Sequence, residues 1–255
     1  MALHSTILYG PLNTRRLGSS LGINLLPAKR KICNFECVYC ECGWTNDTIK
    51  DKLPTHEELT YEFKNKFIEL AGAGRPVDHI TFAGNGEPTM HPQFEQIIDT
   101  MIDLRNEFYP QARIAVLSNA TRVSHPPVFR ALQRIEDRIL KLDAGTEKMF
   151  QQIDIPDNGM TLDRVTADIK KFGGNVTIQT LFLRGFFKNQ VIDNTSEEEL
   201  AAWIERLRYI QPVKVMIYSI ERETPVDRLT KVTKNELEDI VEKLRQNGIS
   251  AESYA

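Results

Sequence analysis

Between residues 21 and 254 the chain alternates short β-branched and aliphatic runs with longer stretches of helical periodicity, and this alternation restricts the fold more than any other feature. The strand candidates are LGINLL (21–26), VDHITFAG (77–84), ARIAVLSN (112–119), RILKLDAG (138–145), NVTIQTLFL (175–183) and KVMIYSI (214–220). Most are apolar on successive residues, as in strands covered on both faces of a parallel sheet. The intervening helices carry their own punctuation. THEELTYEFKNKFIELAG (55–72) opens on a Thr55–Glu58 capping box and stops at Gly72. HPQFEQIIDTMIDLRNEF (91–108) spaces Phe94, Ile97, Ile98, Met101 and Ile102 for one helical face. TLDRVTADIKKFGG, TSEEELAAWIERLRYI and TKNELEDIVEKLRQNG repeat the capped start, and the last ends on Asn247–Gly248. Six β–α units result, with ISAESY (249–254) as a seventh strand candidate. Six are too few for a closed eight-fold barrel, which leaves an open partial barrel or a doubly wound sheet. STILYGPLNTRR (5–16) precedes the first barrel strand as a hairpin or arm. We divide the chain into an N-terminal arm (1–20) and a single barrel domain (21–255).

The 32 basic and 35 acidic residues leave a net charge of −3, which carries no general nucleic-acid footprint. The first residues lack a charged segment followed by an apolar core, and no apolar run approaches the length of a membrane span. The expectation is a cytoplasmic protein with no membrane partner.

All four cysteines, Cys33, Cys37, Cys40 and Cys42, fall within KICNFECVYCECG (31–43). In a reducing compartment such a cluster points to metal binding or catalysis rather than disulfides. Structural zinc takes four ligands, usually as two separated pairs, and no second pair exists here. Three close thiolates in C-x3-C-x2-C leave one iron of a four-iron cluster open to a ligand. Cys42 is either a free thiol beside the site or a fourth ligand that closes it.

CNFECVYC, with Tyr39 just before the third cysteine, resembles the signature of the radical S-adenosylmethionine enzymes, and it lies after the first strand of an alternating β/α chain, as in that family. FAGNGEPTMHP (82–92) resembles the family's Gly-Gly-Glu-Pro segment, with Asn85 where glycine is commoner. The resemblance implies an α/β fold, a partial (β/α)6 TIM-like barrel open on one side. It implies a four-iron four-sulfur cluster on Cys33, Cys37 and Cys40, with S-adenosylmethionine chelating the fourth iron. It also implies reductive cleavage to a 5′-deoxyadenosyl radical, hydrogen abstraction from a substrate, and a low-potential electron donor such as flavodoxin or ferredoxin. Carried over residue by residue, Gly84, Asn85, Gly86 and Glu87 would receive the methionine ammonium. Ser118, Asn119, Lys141, Asp143 and Gln179 end strands three to five, where the family contacts ribose, adenine and the methionine carboxylate. Lys141 faces that carboxylate or pairs with an acid.

Arg15 and Arg16 in the lead-in, with Tyr218 and Arg222 at the sixth strand's end, are candidate substrate residues, since paired arginines neutralise phosphate or carboxylate. His79 and Trp203 read as structural, His56 and His125 as helix-start residues, and His91 as a turn residue. The lead-in GPLNTRRLGSSLGINLLP (10–27) resembles the branch grouped with the tRNA wyosine-base synthases. Those carry a second cluster, for which no cysteine remains here. A glycyl-radical activase and a small-molecule or peptide modifier are the other readings, so the substrate is a small molecule, a nucleotide or RNA base, or a partner protein. From another class, a non-catalytic iron–sulfur electron carrier would use Cys42 as fourth ligand, but it would have no use for an ammonium site.

Overall fold

The computed structural model describes residues 3–157 and 159–254. Strand β1 (Leu8–Thr14) and β2 (Gly18–Ile23) form an antiparallel hairpin, so the N-terminal arm is itself an edge strand of the sheet. Next come α1 (His56–Gly72), β3 (His79–Phe82), a 3-10 turn (Pro88–Met90), α2 (Phe94–Phe108), β4 (Arg113–Ser118), α3 (Pro126–Gln133) and β5 (Asp137–Lys141). The chain continues through α4 (Glu147–Ile153), α5 (Leu162–Lys170), β6 (Thr177–Phe187), β7 (Gln190–Asp193), α6 (Glu197–Ile210) and β8 (Lys214–Ser219). It closes with β9 (Leu229–Lys231), α7 (Lys234–Gln246) and β10 (Ala251–Tyr254).

Strands β2, β3, β4, β5, β6, β8 and β10 pair in parallel in that order, with β1 antiparallel at the front edge. Among the described residues β1 and β10 do not pair, so the barrel stays open. The candidate at 249–254 is β10, beside β8.

Local chemistry accounts for the elements. In α1 the Thr55 hydroxyl accepts from Glu58 N at 3.2 Å, and Glu58 Oε2 accepts from Thr55 N at 2.7 Å. The same reciprocal box opens α7 at Thr233 and Glu236. Leu59, Phe63, Phe67 and Leu70 of α1 are buried at helical spacing against the sheet. Trp203 of α6 is buried, with its indole N–H donating to Leu142 O at 3.0 Å, which bears out its structural reading.

Four elements, β7, β9, α3 and α4, have no counterpart in the apolar pattern. The long β6 runs past the barrel and there pairs with β7 and β9 as a small antiparallel sheet. Helices α3 and α4, of 8 and 7 residues, are too short to show a clear period. No helix of the described residues is long and apolar enough to cross a membrane.

His79 is structural: its Nε2 lies 3.3 Å from Asp137 Oδ2, and Arg113 forks onto the same carboxylate at 2.7 Å. Burial alone would raise the Asp137 carboxyl, but the hydrogen bonds from Arg113 and His79 hold it well below the usual carboxylate range. A depressed carboxyl stabilises the fold above its unfolded pKa of about 4 and loses that contribution as pH falls through the folded value. Asp137→Asn should therefore lower urea stability at pH 7 by about 1 kcal/mol, the Arg113 end being half exposed. The gap to wild type should narrow as the pH is taken below about 4.

Candidate functional site

The loop after β2 carries the cysteines, and its other residues explain its shape. Phe35 and Val38 point into the core, 2 % and 0 % exposed, and Phe35 meets Phe150 of α4 edge-on at 5.5 Å between centroids. The backbone is held from one side by Glu36 N to Asp154 O (3.0 Å) and Val38 N to Ile153 O (2.9 Å). From the other side it is held by the turn after β3, through Ile32 N to Asn85 O and Glu87 N to Ile32 O, both 2.9 Å. With Phe35 and Val38 inward, Cys33, Cys37, Cys40 and Cys42 face a cavity of about 210 Å³. Lys31, Tyr39, Gly84, Gly86, Glu87, Ser118, Asn119, Lys141, Gln179 and Tyr218 also line it.

The GNG turn fits because of its side chains. Gly86 has φ +129, and a Cβ there would lie 1.9 Å from Ile32 O. A Cβ on Gly84 would lie 2.4 Å from Asn24 Oδ1. Asn85 is fully buried and does not face the cavity: its amide donates to His4 O at 2.9 Å and Pro27 O at 2.8 Å, and its Oδ1 accepts from His4 N at 2.8 Å. The position thus ties the N-terminal segment and the end of the first barrel loop to the turn.

Glu87 is buried and surrounded by donors. Its Oε1 accepts from Thr89 N (3.1 Å), the Thr89 hydroxyl (2.5 Å) and the Ser118 hydroxyl (2.8 Å), while Oε2 accepts from Asn119 N at 2.6 Å. Burial raises the carboxyl, and these hydrogen bonds oppose it. Oε2, with a single donor, keeps acceptor capacity toward the cavity. Asn119 has a further use: its amide donates to Asn34 Oδ1 at 2.8 Å and to Cys33 Sγ at 3.6 Å, fastening the cysteine loop to the end of β4.

Asp143 lies behind the cavity wall. Its Oδ1 accepts from Leu181 N at 2.9 Å, and its Oδ2 meets the Lys141 ammonium and the Tyr39 hydroxyl. Lys141 also reaches Asp154 at 2.8 Å, so its charge is met by two acids. Of its two sequence readings, the structure contains the ion pair. Asp154 and the buried Lys31 were not legible in the sequence. Lys31 donates to Glu36 Oε2 at 3.2 Å and to Gly43 O at 3.3 Å. Its position just before the first cysteine was the one available signal.

Burial pushes the Cys33 thiol up to about 12 and Cys37 well above its ordinary value, whereas a hydrogen bond with Cys42 brings Cys40 down to about 6. The Cys42 thiol donates to Gly84 O at 3.4 Å, and its hydrogen bond with Cys40, together with burial, raises it. The thiols are unpaired by disulfides. Among the described residues no three His, Cys, Asp or Glu side chains converge as a single metal ion requires. A four-iron cluster spreads its thiolates over separate irons, so the donor set fits a cluster better than one ion.

The arginines separate. Arg15 pairs with Glu221 at 3.7 Å and Arg222 with Glu41 at 2.6 Å, both outside this cavity. Arg16 sits 4.7 Å above the Tyr218 ring.

A model of the radical SAM superfamily matches residues 30–194, which include every cysteine and the GNGEP turn, and the chain belongs to that superfamily. A UPF0026 protein of Helicobacter pylori is 27 % identical over 235 residues, covering 91 % of this chain and 71 % of its own. A UPF0026 protein of Synechocystis is 30 % identical over 228 residues, covering 86 % and 77 %. A radical SAM methyltransferase of Sphaerobacter thermophilus superposes with a TM-score of 0.67 at 16 % identity, over 92 % of this chain and 65 % of that one. The structure of anSMEcpe with bound AdoMet gives 0.57 at 15 % identity, over 90 % and 64 %. The chain therefore spans just under two thirds of these two solved proteins, and they share its open α/β barrel.

Gly86→Ala should disrupt the turn on both counts, steric and conformational, and lower urea stability by about 2 kcal/mol or more. Gly74→Ala, at φ +60 in the left-handed helical region and with open space around it, should cost less on both counts.

Proposed function

We propose that the protein holds a four-iron four-sulfur cluster on Cys33, Cys37 and Cys40 with S-adenosylmethionine beside it, and uses them to take a hydrogen atom from a bound substrate. The observation that carries this reading is that the three thiols and the Glu87 carboxylate line one cavity at the C-terminal ends of the parallel strands. When bound, the pair would supply hydrogen-abstracting radical chemistry, with low-potential electrons from a donor such as flavodoxin or ferredoxin.

The chain's own residues position and shield. Glu87, fixed by Thr89, Ser118 and Asn119, offers Oε2 to the cofactor's ammonium. Lys31 sets a buried positive charge beside the thiolates, which raise its ammonium against the lowering effect of burial. Gln179 and Tyr218 give polar edges to the cavity, and Leu117 and Ile139 give it apolar wall that excludes water. Cys42, turned to the Gly84 carbonyl, stands outside the ligand set in this reading.

Anaerobic reconstitution should load about four iron and four sulfide per chain. Alanine at Cys33, Cys37 or Cys40 should abolish loading, and Cys42→Ala should retain it. Iron content and the visible absorption of the cluster check both statements, and loss of the cluster in Cys42→Ala would make Cys42 a ligand. Glu87→Gln should keep the cluster and bind S-adenosylmethionine about ten-fold or more weakly by calorimetry, since a hydrogen bond to a charged group is worth roughly 1.5–3 kcal/mol.

A further inference from the structure

A second, larger chamber of about 530 Å³ adjoins the cysteine cavity, the two sharing Cys42, Gly84, Leu117, Ile139 and Gln179 as walls. Its outer wall is the β1–β2 hairpin, through Tyr9, Leu12, Arg16 and Ser20, and Met216 of β8 faces it from the far side. That volume lies in the range of small-molecule sites.

The charges in this chamber do not cancel. Its charged lining groups are Arg16, Glu41 and Arg222, together with His4. Glu41 and Arg222 neutralise each other at 2.6 Å. Burial lowers the His4 imidazole, which favours its neutral form. Arg16 is left over. Among the described residues no carboxylate pairs with it, its Nη1 is shielded from solvent without a hydrogen-bond partner, and its guanidinium rests on the Tyr218 ring. A half-buried guanidinium with an unmet N–H is costly unless something completes it. The neighbouring Arg15 shows the contrast: it is exposed and faces Glu221. The ring contact also fixes where the charge sits, between the chamber that Arg16 lines and the cysteine cavity that Tyr218 lines.

We infer that Arg16 is the anchor for a small organic anion, a carboxylate or a phosphate monoester, whose apolar body lies in the chamber against Leu117, Ile139 and Met216. Arg16 is the group suited to this, since its planar fork matches either oxyanion in two-pronged fashion. Arg15, paired with Glu221 at the surface, and Arg222, neutralised by Glu41 on the chamber wall, are then not the anchor. This rests on the radical-enzyme reading for its meaning, as the substrate's anchor, but not for its test.

The test uses the full chain, with and without reconstituted cluster, and reads binding by calorimetry. The probes are hexanoate, hexyl phosphate and neutral hexanol. At least one anion should bind the wild type with hexanol ten-fold or more weaker, and whichever anion is preferred assigns carboxylate or phosphate. Arg16→Gln should weaken that anion ten-fold or more, Arg16→Lys less, and Arg15→Gln not at all. Equal binding to wild type and Arg16→Gln, equal binding of hexanol and the anions, or no anion binding to wild type would each overturn the proposal. Should Arg16→Gln not fold, the hexanol comparison and Arg16→Lys still decide. Iron content and 5′-deoxyadenosine formation without substrate, measured on the same preparations, report separately on the radical-enzyme reading.

Discussion

The site depends on one backbone contact between two loops. Ile32, at the start of the cysteine loop, donates to Asn85 O and accepts from Glu87 N, so the loop after β2 and the turn after β3 share a two-bond ladder outside the sheet. It sets the thiols and the Glu87 carboxylate in a fixed relation, which Asn119 reinforces by bonding both Glu87 and the cysteine loop. The ladder requires close approach, and close approach requires glycine at 86. Asn85 then clamps the same turn to His4 and Pro27, which brings the N-terminal segment under the same constraint.

Charge follows from this geometry. The ladder draws a loop of half-buried thiols together with buried carboxylates at 87, 143 and 154. Such groups are tolerated only with partners. Lys141 serves Asp143 and Asp154, Lys31 serves Glu36 and the loop, and backbone and hydroxyl donors serve Glu87. The two lysines differ in origin, one from the cysteine loop and one from the end of β5, so the ion pairs flanking the cavity come from separate elements.

Much of this was legible in the sequence, and what was not has physical reasons. The parallel strands showed as unbroken apolar runs because helices or the barrel interior cover both their faces. The cysteine spacing and the GNGEP turn are local motifs, and local motifs survive in a linear reading. Asp143 gave no sign that it would stand behind the cavity rather than in it, since its partners come from residues 39, 141 and 181. Asp154 lies in an acidic, loop-like stretch, and only the fold carries it beneath the cysteine loop. The extension of β6 into a second small sheet escaped notice because β7 and β9 are short and half exposed. The three arginines looked alike in sequence, and only their neighbours divide them.

The four donors around Glu87 have a thermodynamic consequence. A carboxylate side chain normally loses rotamer freedom when a ligand captures it. Here folding has already removed that freedom, since both oxygens are held by Thr89, Ser118 and Asn119. A cation arriving at Oε2 meets an acceptor that neither swings nor reorganises, so its attraction goes into association rather than into ordering the protein. The acid end of the cavity is thus a template fixed by folding itself.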